Sequence, residues 1–142
     1  MIVYTGGTFD VPHIGHVKFL QLCNRYFPDC YLVVSLNQDE FIEKFKGKKP
    51  LFSYEERKSY LELTGLVDKV IPNIGGSDSK VAILQEKPDV VAIGNDWLER
   101  DYCKQMGFTA QWLTEQGIAL IFIDRPGGIS TTLIKERILN AR

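Results

Sequence analysis

The sequence contains no apolar run approaching the ~20 residues that a membrane-spanning helix needs. Its first residues lack the basic start and the apolar segment of a signal peptide. The formal net charge is only −1 at pH 7, so the molecule as a whole has no general attraction to nucleic acid or to an anionic membrane surface. We therefore expect a cytoplasmic protein whose partners include neither nucleic acid nor membrane.

Cysteine is scarce as well. The chain has three cysteines, Cys23, Cys30 and Cys103, an odd number without any C-x-x-C spacing. That pattern argues against a disulfide framework. We expect reduced thiols that pack in the core, and we assign no residue as a metal ligand. A redox or metal protein that uses these cysteines is the alternative.

The chain has only two histidines, and both lie in the segment Gly6–His16. A short apolar run, Ile2–Thr5, predicts a buried strand that ends at a double glycine, and an amphipathic helix follows from Ile14. His13 and His16 are three residues apart, which predicts that they share one face of the first helical turn. The helix dipole and the free N–H groups favour an anion at that point.

The same segment carries neither of two well-known phosphate-binding signatures. It has no G-x-G-x-x-G spacing and no G-x-x-x-x-G-K-[ST], so neither a dinucleotide site nor a P-loop is indicated. Gly7 would let the backbone approach a phosphorylated ligand closely. Two other interpretations stay open: histidines that only cap the helix, and a metal site that lacks its third ligand.

Strand and helix patterns alternate along the chain without an internal repeat. Buried strands that alternate with helices are typical of a parallel sheet covered on both faces. We therefore predict a single domain over residues 1–142, of the α/β class, with a Rossmann-like parallel sheet of five strands and helices on both faces. The predicted strands are Ile2–Thr5, Tyr31–Leu36, Lys69–Pro72, Val90–Ile93 and Ile118–Ile123. The predicted helices are Ile14–Phe27, Asp39–Phe45, Ser53–Leu63, Lys80–Glu86, Thr109–Gln116 and a final segment opened by Ile129–Thr132.

Polar segments follow four of the predicted strands. They are Gly6–His16, Asn37–Lys49, Asn95–Arg100 and Arg125–Thr132. In open parallel sheets, ligands bind beyond the carboxyl ends of the strands. We therefore expect these four segments to converge on one ligand site.

The second of these segments is basic. It contains Lys44, Lys46, Lys48 and Lys49. Such a run of charge is often only a solvated surface. Its predicted position, after the second strand and before a capped helix, would instead place these lysines over the ligand site.

The last two polar segments also carry side chains suited to a nucleotide. Asp96 follows the fourth strand and could accept hydrogen bonds from ribose hydroxyls, while Trp97 is more typical of ordinary packing. Arg125 could clamp phosphate oxygens, and Ser130 and Thr131 open a helix whose N-terminus could bind them. Without a ligand, the two hydroxyl residues would serve only as helix caps.

Several of these stretches resemble a known superfamily. The stretch GGTFDVPHIGH resembles the G-x-F-D-x-x-H-x-G-H signature of the HxGH nucleotidyltransferases, and the later ISTT resembles their second signature. With the basic run, Tyr54–Arg57 and Gly94–Trp97, the chain is similar over nearly its full length to the small cytidylyltransferases. The resemblance implies the Rossmann-like fold of the HUP nucleotidyltransferases, in a single cytidylyltransferase-like domain that forms a homodimer.

The reaction that the resemblance implies is the transfer of CMP from CTP to a phosphorylated small alcohol, giving a CDP-alcohol and pyrophosphate. Mg²⁺ would be held mainly by the nucleotide phosphates. The residues implied as catalytic are His13, His16, Lys46 and Arg125. Those implied to bind the nucleotide are Gly7, Thr8, Phe9, Asp10, His16, Asp96, Arg125, Ser130 and Thr131. Those implied to bind the acceptor or its phosphate are Lys46, Lys48 and Arg57.

Glycerol 3-phosphate is the acceptor that the resemblance favours. The members that use it tend to carry an arginine where this chain has Gly65, in the stretch Gly65–Asp68. Phosphocholine, phosphoethanolamine and polyol or sugar phosphates are therefore alternative acceptors, and an adenylyltransferase is a further alternative. A non-catalytic nucleotide sensor is the alternative from a different class of function.

Overall fold

Five parallel strands form one sheet in the computed structural model, which describes residues 1–94, 107–124 and 131–141, with the backbone alone for Thr131 and Thr132. The strands are β1 (Ile2–Gly7), β2 (Tyr31–Leu36), β3 (Lys69–Pro72), β4 (Val90–Gly94) and β5 (Ala119–Ile123). The helices in the described ranges are α1 (Ile14–Tyr26), α2 (Asp39–Lys46), α3 (Tyr54–Leu63), α4 (Lys80–Glu86), α5 (Ala110–Glu115) and α6 (Thr131–Asn140). The predicted α/β class and the five-stranded parallel sheet are confirmed.

The order of the strands decides where a ligand can bind. The order is β3-β2-β1-β4-β5, so β1 lies in the centre of the sheet. The chain runs outward from β1 through β2 to β3, and β4 then returns to the other side of β1. Sheets of this kind bind ligands where the order reverses, beyond the carboxyl ends of the strands. The loop between β1 and α1 begins at that point.

Both faces of the sheet carry a hydrophobic core. Successive strand residues point to opposite faces, so Val3 and Tyr4 of β1 enter different cores. The first core packs against α1 and α3, and the second packs against α4 and α5. The described helices therefore cover both faces, as predicted. None of the helices in the described ranges has the length and the apolar character required to span a bilayer.

Two aspartates fix the strands at the end of the sheet opposite the polar loops. Asp68, just before β3, accepts the N–H of Leu32 at 2.7 Å and donates its own N–H to the carbonyl of that residue. Asp89, just before β4, makes the same pair of hydrogen bonds with Ile2. These bonds set the register of the strands and thereby the alignment of their carboxyl ends.

The cysteines behave as core residues. Cys23 and Cys30 are buried free thiols. Burial raises the pKa of the Cys23 thiol to about 12, and burial is also the main cause of the raised pKa of Cys30. A thiol that stays protonated is a poor nucleophile and a poor metal ligand, which supports packing over a redox or metal role. Cys103 lies outside the described residues.

We predict that the fold loses stability between pH 9 and pH 12. Burial raises the pKa of Cys23 from 9.0 to about 12 and that of Tyr4 from 10.0 to about 12. In this window the unfolded chain releases protons that the folded chain retains, so stability is complete below pH 9 and falls as the pH rises. Each group contributes a slope of up to about 1.4 kcal/mol per pH unit. Urea unfolding from pH 8 to pH 11 measures this slope.

Replacing Tyr4 with phenylalanine provides the control for this prediction. The ring stays in the core while the titrating hydroxyl is removed, so the pH dependence of the unfolding midpoint should flatten above pH 10. An unchanged slope in Tyr4→Phe would show that Tyr4 does not contribute to it.

Candidate functional site

The loop between β1 and α1 has a constrained backbone. Phe9 and Val11 adopt left-handed conformations, with φ values of 50° and 52°. Residues other than glycine rarely do so, because the conformation costs about 1–2 kcal/mol. The ring centroids of Phe9 and His16 are 5.1 Å apart. A Cβ added at Gly7 would lie 3.0 Å from the Phe9 ring. A side chain at Gly7 would therefore displace Phe9 and change the surroundings of His16.

The two histidines stack on each other, with ring centroids 3.7 Å apart. His13 is the N-cap of α1, and its Nδ1 accepts the N–H of Gly15 at 3.0 Å. The neutral His13 ring therefore carries its proton on Nε2. A helix-capping histidine was one of the open interpretations, and it is correct for His13. The capping contact does not remove His13 from the site, because its ring lies against His16.

A cavity of about 340 Å³ opens at the carboxyl end of β1, beside α2. Its described wall includes six predicted site residues, Thr8, Phe9, Asp10, His16, Lys46 and Lys48. It also includes Ile42 and Lys49, which lie in the predicted segment Asn37–Lys49 but were assigned no role, and two residues that were not predicted, Pro50 and Lys135. Two further predicted residues do not line the cavity but lie next to residues that do. Gly7 lies against the ring of Phe9, and the ring of His13 stacks on that of His16.

The wall of this cavity is strongly basic. Lys46, Lys48, Lys49 and Lys135 line it, against one carboxylate, Asp10, among the described lining residues. Lys135 Nζ lies 3.8 Å from the Asp10 carboxylate and balances part of its charge. A basic cavity beside a helix N-terminus is suited to a ligand with several anionic oxygens. The net charge of −1 for the whole chain conceals this local excess.

Both ends of the basic segment (residues 44–50) are fixed. Its first part forms the last turn of α2 rather than a loop, and Gly47 ends that helix with a φ of 73°. Just beyond its other end, the N–H groups of Leu51 and Phe52 each donate to the Asp10 carboxylate at 3.0 Å. Asp10 therefore holds the lysines against the loop that carries the histidines. The predicted contact between Asp10 and a nucleotide stays a prediction.

The role that the resemblance implies for Arg57, binding the acceptor or its phosphate, stays a prediction, and in the structure this side chain makes other contacts. Its side chain is fully buried and lines no part of the cavity. Its guanidinium donates to the carbonyls of Phe52 at 3.0 Å, Thr8 at 2.8 Å and Asn37 at 2.9 Å, and to Asp39 Oδ1 at 2.6 Å. The carbonyls of Thr8 and Asn37 follow β1 and β2 directly, that of Phe52 lies shortly before α3, and all three need donors. Here Arg57 joins the loops of the site from behind the cavity.

Several predicted site residues cannot be placed. Outside the described residues lie Asp96, Arg125 and Ser130, together with Asn95 and Trp97. Thr131 is the first residue of α6, and its side chain is not described. The roles assigned to these residues stay predictions.

Two functional candidates were missed from the sequence. Lys135 reaches the cavity from α6, four residues after Thr131. That spacing places both residues on one helical face, which was the available signal. Asn37 follows β2 directly, and its side chain contacts Thr8. A lone asparagine after a strand has no distinctive pattern, so nothing distinguished Asn37 from the rest of the predicted segment Asn37–Lys49.

The described residues do not form a metal cage. No group of three or more His, Cys, Asp or Glu side chains within residues 1–94, 107–124 and 131–141 is arranged to hold a metal ion. Asp10, the carboxylate on the cavity wall, already accepts two backbone N–H groups and faces Lys135. A divalent ion at this wall would therefore take most of its ligands from a phosphorylated ligand.

Comparison with known proteins identifies the family. The family model described as cytidylyltransferase-like matches residues 4–137. The chain belongs to the cytidylyltransferase-like family. This cytidylyltransferase-like chain is 38% identical over 137 residues to the glycerol-3-phosphate cytidylyltransferase of Bacillus subtilis strain 168, covering 96% of this chain and 95% of the relative. It is 36% identical to the glycerol-3-phosphate cytidylyltransferase of Staphylococcus aureus strain NCTC 8325 / PS 47, covering 96% of this chain and 93% of that one.

A solved structure provides a separate comparison of the fold. The lipopolysaccharide core biosynthesis protein from Thermoplasma volcanium GSS1 matches with a TM-score of 0.65 at 22% identity, covering 89% of this chain and 98% of that one. At this identity the match shows the Rossmann-like fold alone. The cytidylyltransferase assignment rests on the family model and the sequence relatives, which are enzymes, and it confirms the predicted nucleotidyltransferase class.

Proposed function

We propose that this enzyme transfers CMP from CTP to glycerol 3-phosphate, giving CDP-glycerol and pyrophosphate. The observation that carries the proposal is the stacked pair His13 and His16 beside a basic cavity, at the point where the strand order reverses. The near full-length similarity to glycerol-3-phosphate cytidylyltransferases supports both the base and the acceptor.

The reaction needs alignment and charge stabilisation more than proton transfer. A phosphate oxygen of the acceptor is already a nucleophile and forms the new bond to the α-phosphorus of CTP. The bond from the α-phosphorus to the oxygen bridging to the β-phosphorus then breaks, and pyrophosphate leaves with its electron pair. The enzyme must hold the two oxygens in line and stabilise the charge on the non-bridging oxygens.

Each proposed role follows from the chemistry of a side chain. His16 and Lys46, both on the cavity wall, would stabilise the α-phosphoryl oxygens, with His13 stacked behind His16. Lys48 would bind the acceptor phosphate. Asp96 would bind the ribose, and the leaving pyrophosphate would be held by Arg125, Ser130 and Thr131. Mg²⁺ would neutralise phosphate charge while bound mainly by the nucleotide.

Gly65 is the reason for retaining other acceptors as alternatives. Gly65 follows α3 with a φ of 72°, a conformation that favours glycine and strains an arginine. The position therefore serves the turn after the helix here and offers no cation to an acceptor. Phosphocholine, phosphoethanolamine and polyol or sugar phosphates stay alternatives for this reason. We also propose, from the family resemblance, a cytoplasmic homodimer.

Pyrophosphate release tests the proposed function. The enzyme is assayed with CTP or ATP, in Mg²⁺, against glycerol 3-phosphate and each alternative acceptor, with His16→Ala as the matched inactive control. We expect the highest kcat/KM for CTP with glycerol 3-phosphate. Faster turnover with another acceptor would show that glycerol 3-phosphate is not the preferred acceptor, and faster turnover with ATP would show that CTP is not the preferred nucleotide. Tight CTP binding without turnover of any pair would instead support the nucleotide sensor.

A further inference from the structure

A chain of side-chain hydrogen bonds runs from the loop after β3 to the cavity. The amide nitrogen Nδ2 of Asn73 donates to the carbonyl of Gly76 and to Oδ1 of Asn37, both at 2.8 Å. The amide nitrogen of Asn37 donates in turn to the hydroxyl oxygen of Thr8 at 3.1 Å. Thr8 lines the cavity, whereas Asn37 and Asn73 do not.

The direction of these hydrogen bonds is fixed at one end. The carbonyl of Gly76 can only accept, so the atom of Asn73 that faces it must be the nitrogen. The second hydrogen of that nitrogen points to Asn37, whose facing atom must therefore be the oxygen. The nitrogen of Asn37 is then directed to Thr8. Amide orientations are assigned from such networks, and here the carbonyl decides the assignment.

This direction has a consequence for the Thr8 hydroxyl. Its oxygen accepts from Asn37, so its own hydrogen is left to act as a donor. If Asn37 were reversed, its oxygen would accept that hydrogen and turn the hydroxyl away from the cavity. Because Thr8 lines the basic cavity, a hydroxyl that keeps its hydrogen for donation is suited to a phosphoryl oxygen bound there.

The backbone holds both asparagines rigidly. The N–H of Asn37 donates to the carbonyl of Gly7 at 2.9 Å, and the N–H of Asn73 donates to the carbonyl of Leu36 at 3.0 Å. These bonds continue the parallel ladders past the strand ends, so the two side chains start from fixed points. Asn73 is 6% exposed, and its Oδ1 is buried without a hydrogen-bond partner in the described part of the chain. A buried oxygen without a hydrogen-bond partner is rare. Here it results from the amide orientation of Asn73, because the nitrogen must face the carbonyl of Gly76.

We propose that Asn73 and Asn37 are positioning residues that orient the Thr8 hydroxyl as a donor to a phosphoryl oxygen of the substrate. The inference deepens the proposed function and rests on it for the identity of the substrate. Neither asparagine needs to touch the ligand. Their effect on the reaction passes through Thr8, which distinguishes them from residues that only stabilise the fold.

A double-mutant cycle tests this dependence. Thr8→Val removes the hydroxyl at nearly constant shape, and its backbone carbonyl still accepts from Arg57. We expect Thr8→Val to lower kcat with CTP and glycerol 3-phosphate about tenfold or more, because a hydrogen bond to a charged group is lost. Asn73→Ala should lower kcat several-fold with little change in KM. The double variant should match Thr8→Val alone within about twofold.

Equal losses from Asn73→Ala in the wild-type and the Thr8→Val backgrounds would overturn the inference, as would an unchanged kcat in Asn73→Ala. Circular dichroism and unfolding midpoints verify that each variant is folded. If Asn73→Ala does not fold, Asn37→Ala replaces it in the same cycle, because Asn37 contacts Arg57 only through its backbone carbonyl.

A second readout separates this inference from the proposed function. Affinity for inorganic pyrophosphate is measured by calorimetry on the same variants, because that ion offers phosphoryl oxygens to the Thr8 hydroxyl without depending on the base or the acceptor. If the wild type forms no CDP-glycerol, the proposed function is wrong. A loss of pyrophosphate affinity in Asn73→Ala that disappears in the Thr8→Val background would still support the positioning role, and equal losses in both backgrounds would overturn it.

Discussion

Replacing His16 with alanine is expected to lower kcat with CTP and glycerol 3-phosphate by about a hundredfold to a thousandfold, because the proposed donor to the reacting phosphoryl group is lost. His16 lines the cavity and is held between the rings of His13 and Phe9. Affinity for CTP should change much less, because the lysines of the cavity wall, Lys46 and Lys48 among them, are retained. Steady-state kinetics together with calorimetric CTP binding measure both effects. An unchanged kcat in a folded His16→Ala protein would remove His16 from the mechanism.

Two substitutions of His13 separate its capping contact from its chemistry. Asparagine is among the best N-cap residues, so His13→Asn should retain the stability of α1 while losing the imidazole. His13→Ala loses both and should unfold more easily by about 0.5–2 kcal/mol. We expect low kcat in both variants. A wild-type kcat in His13→Asn would show that His13 serves only as a cap.

Replacing Arg57 with methionine is expected to destabilise the fold by about 3–5 kcal/mol, which is a large part of the stability of a domain of this size. Methionine fills similar space but leaves the carbonyls of Phe52, Thr8 and Asn37 without their donor. The Asp39 carboxylate is 36% exposed, so water can hydrate it and most of the loss comes from the carbonyls. Urea unfolding measures the change.

Two further variants make this result specific. Arg57→Lys should recover little, because an ammonium cannot reproduce the planar fork that reaches four acceptors. Asp39→Asn keeps an acceptor for the guanidinium while removing the charge, so it should cost much less than Arg57→Met. Stability unchanged in Arg57→Met, with a large loss of phosphate affinity, would contradict the buried position and support the contact implied by the family resemblance.

The sequence was sufficient for the architecture and for the pairing of the two histidines. Apolar strand runs bounded by glycine, proline or aspartate have a local signature, and so does the capping box at Ser53, which the structure confirms. The pairing of the two histidines was also predictable, because they lie three residues apart in one segment. In each case the decisive interaction lies within a few residues along the chain.

The features that the sequence did not reveal depend on partners far away along the chain. The burial of Arg57 becomes evident only when the carbonyl of Thr8, 49 positions earlier, is placed beside it. Lys135 enters the cavity only because α6 returns to the loop that holds Asp10. The asparagine chain to Thr8 joins three separate strand ends. No local sequence pattern predicts these long-range contacts, because they depend on the order of the strands in the sheet.

The hydrogen bonds that hold both ends of the basic segment affect the affinity for a phosphorylated ligand. Gly47 N–H bonds to the carbonyl of Glu43 at one end and Asp10 accepts two backbone hydrogen bonds beyond the other, so only residues 48–50 lie between fixed points. Ordering a free loop costs about 1–2 kcal/mol of entropy per residue and is subtracted from binding. Here that ordering is completed during folding. The lysines on the cavity wall are therefore already in place, and an arriving triphosphate meets their charge without first having to organise the chain.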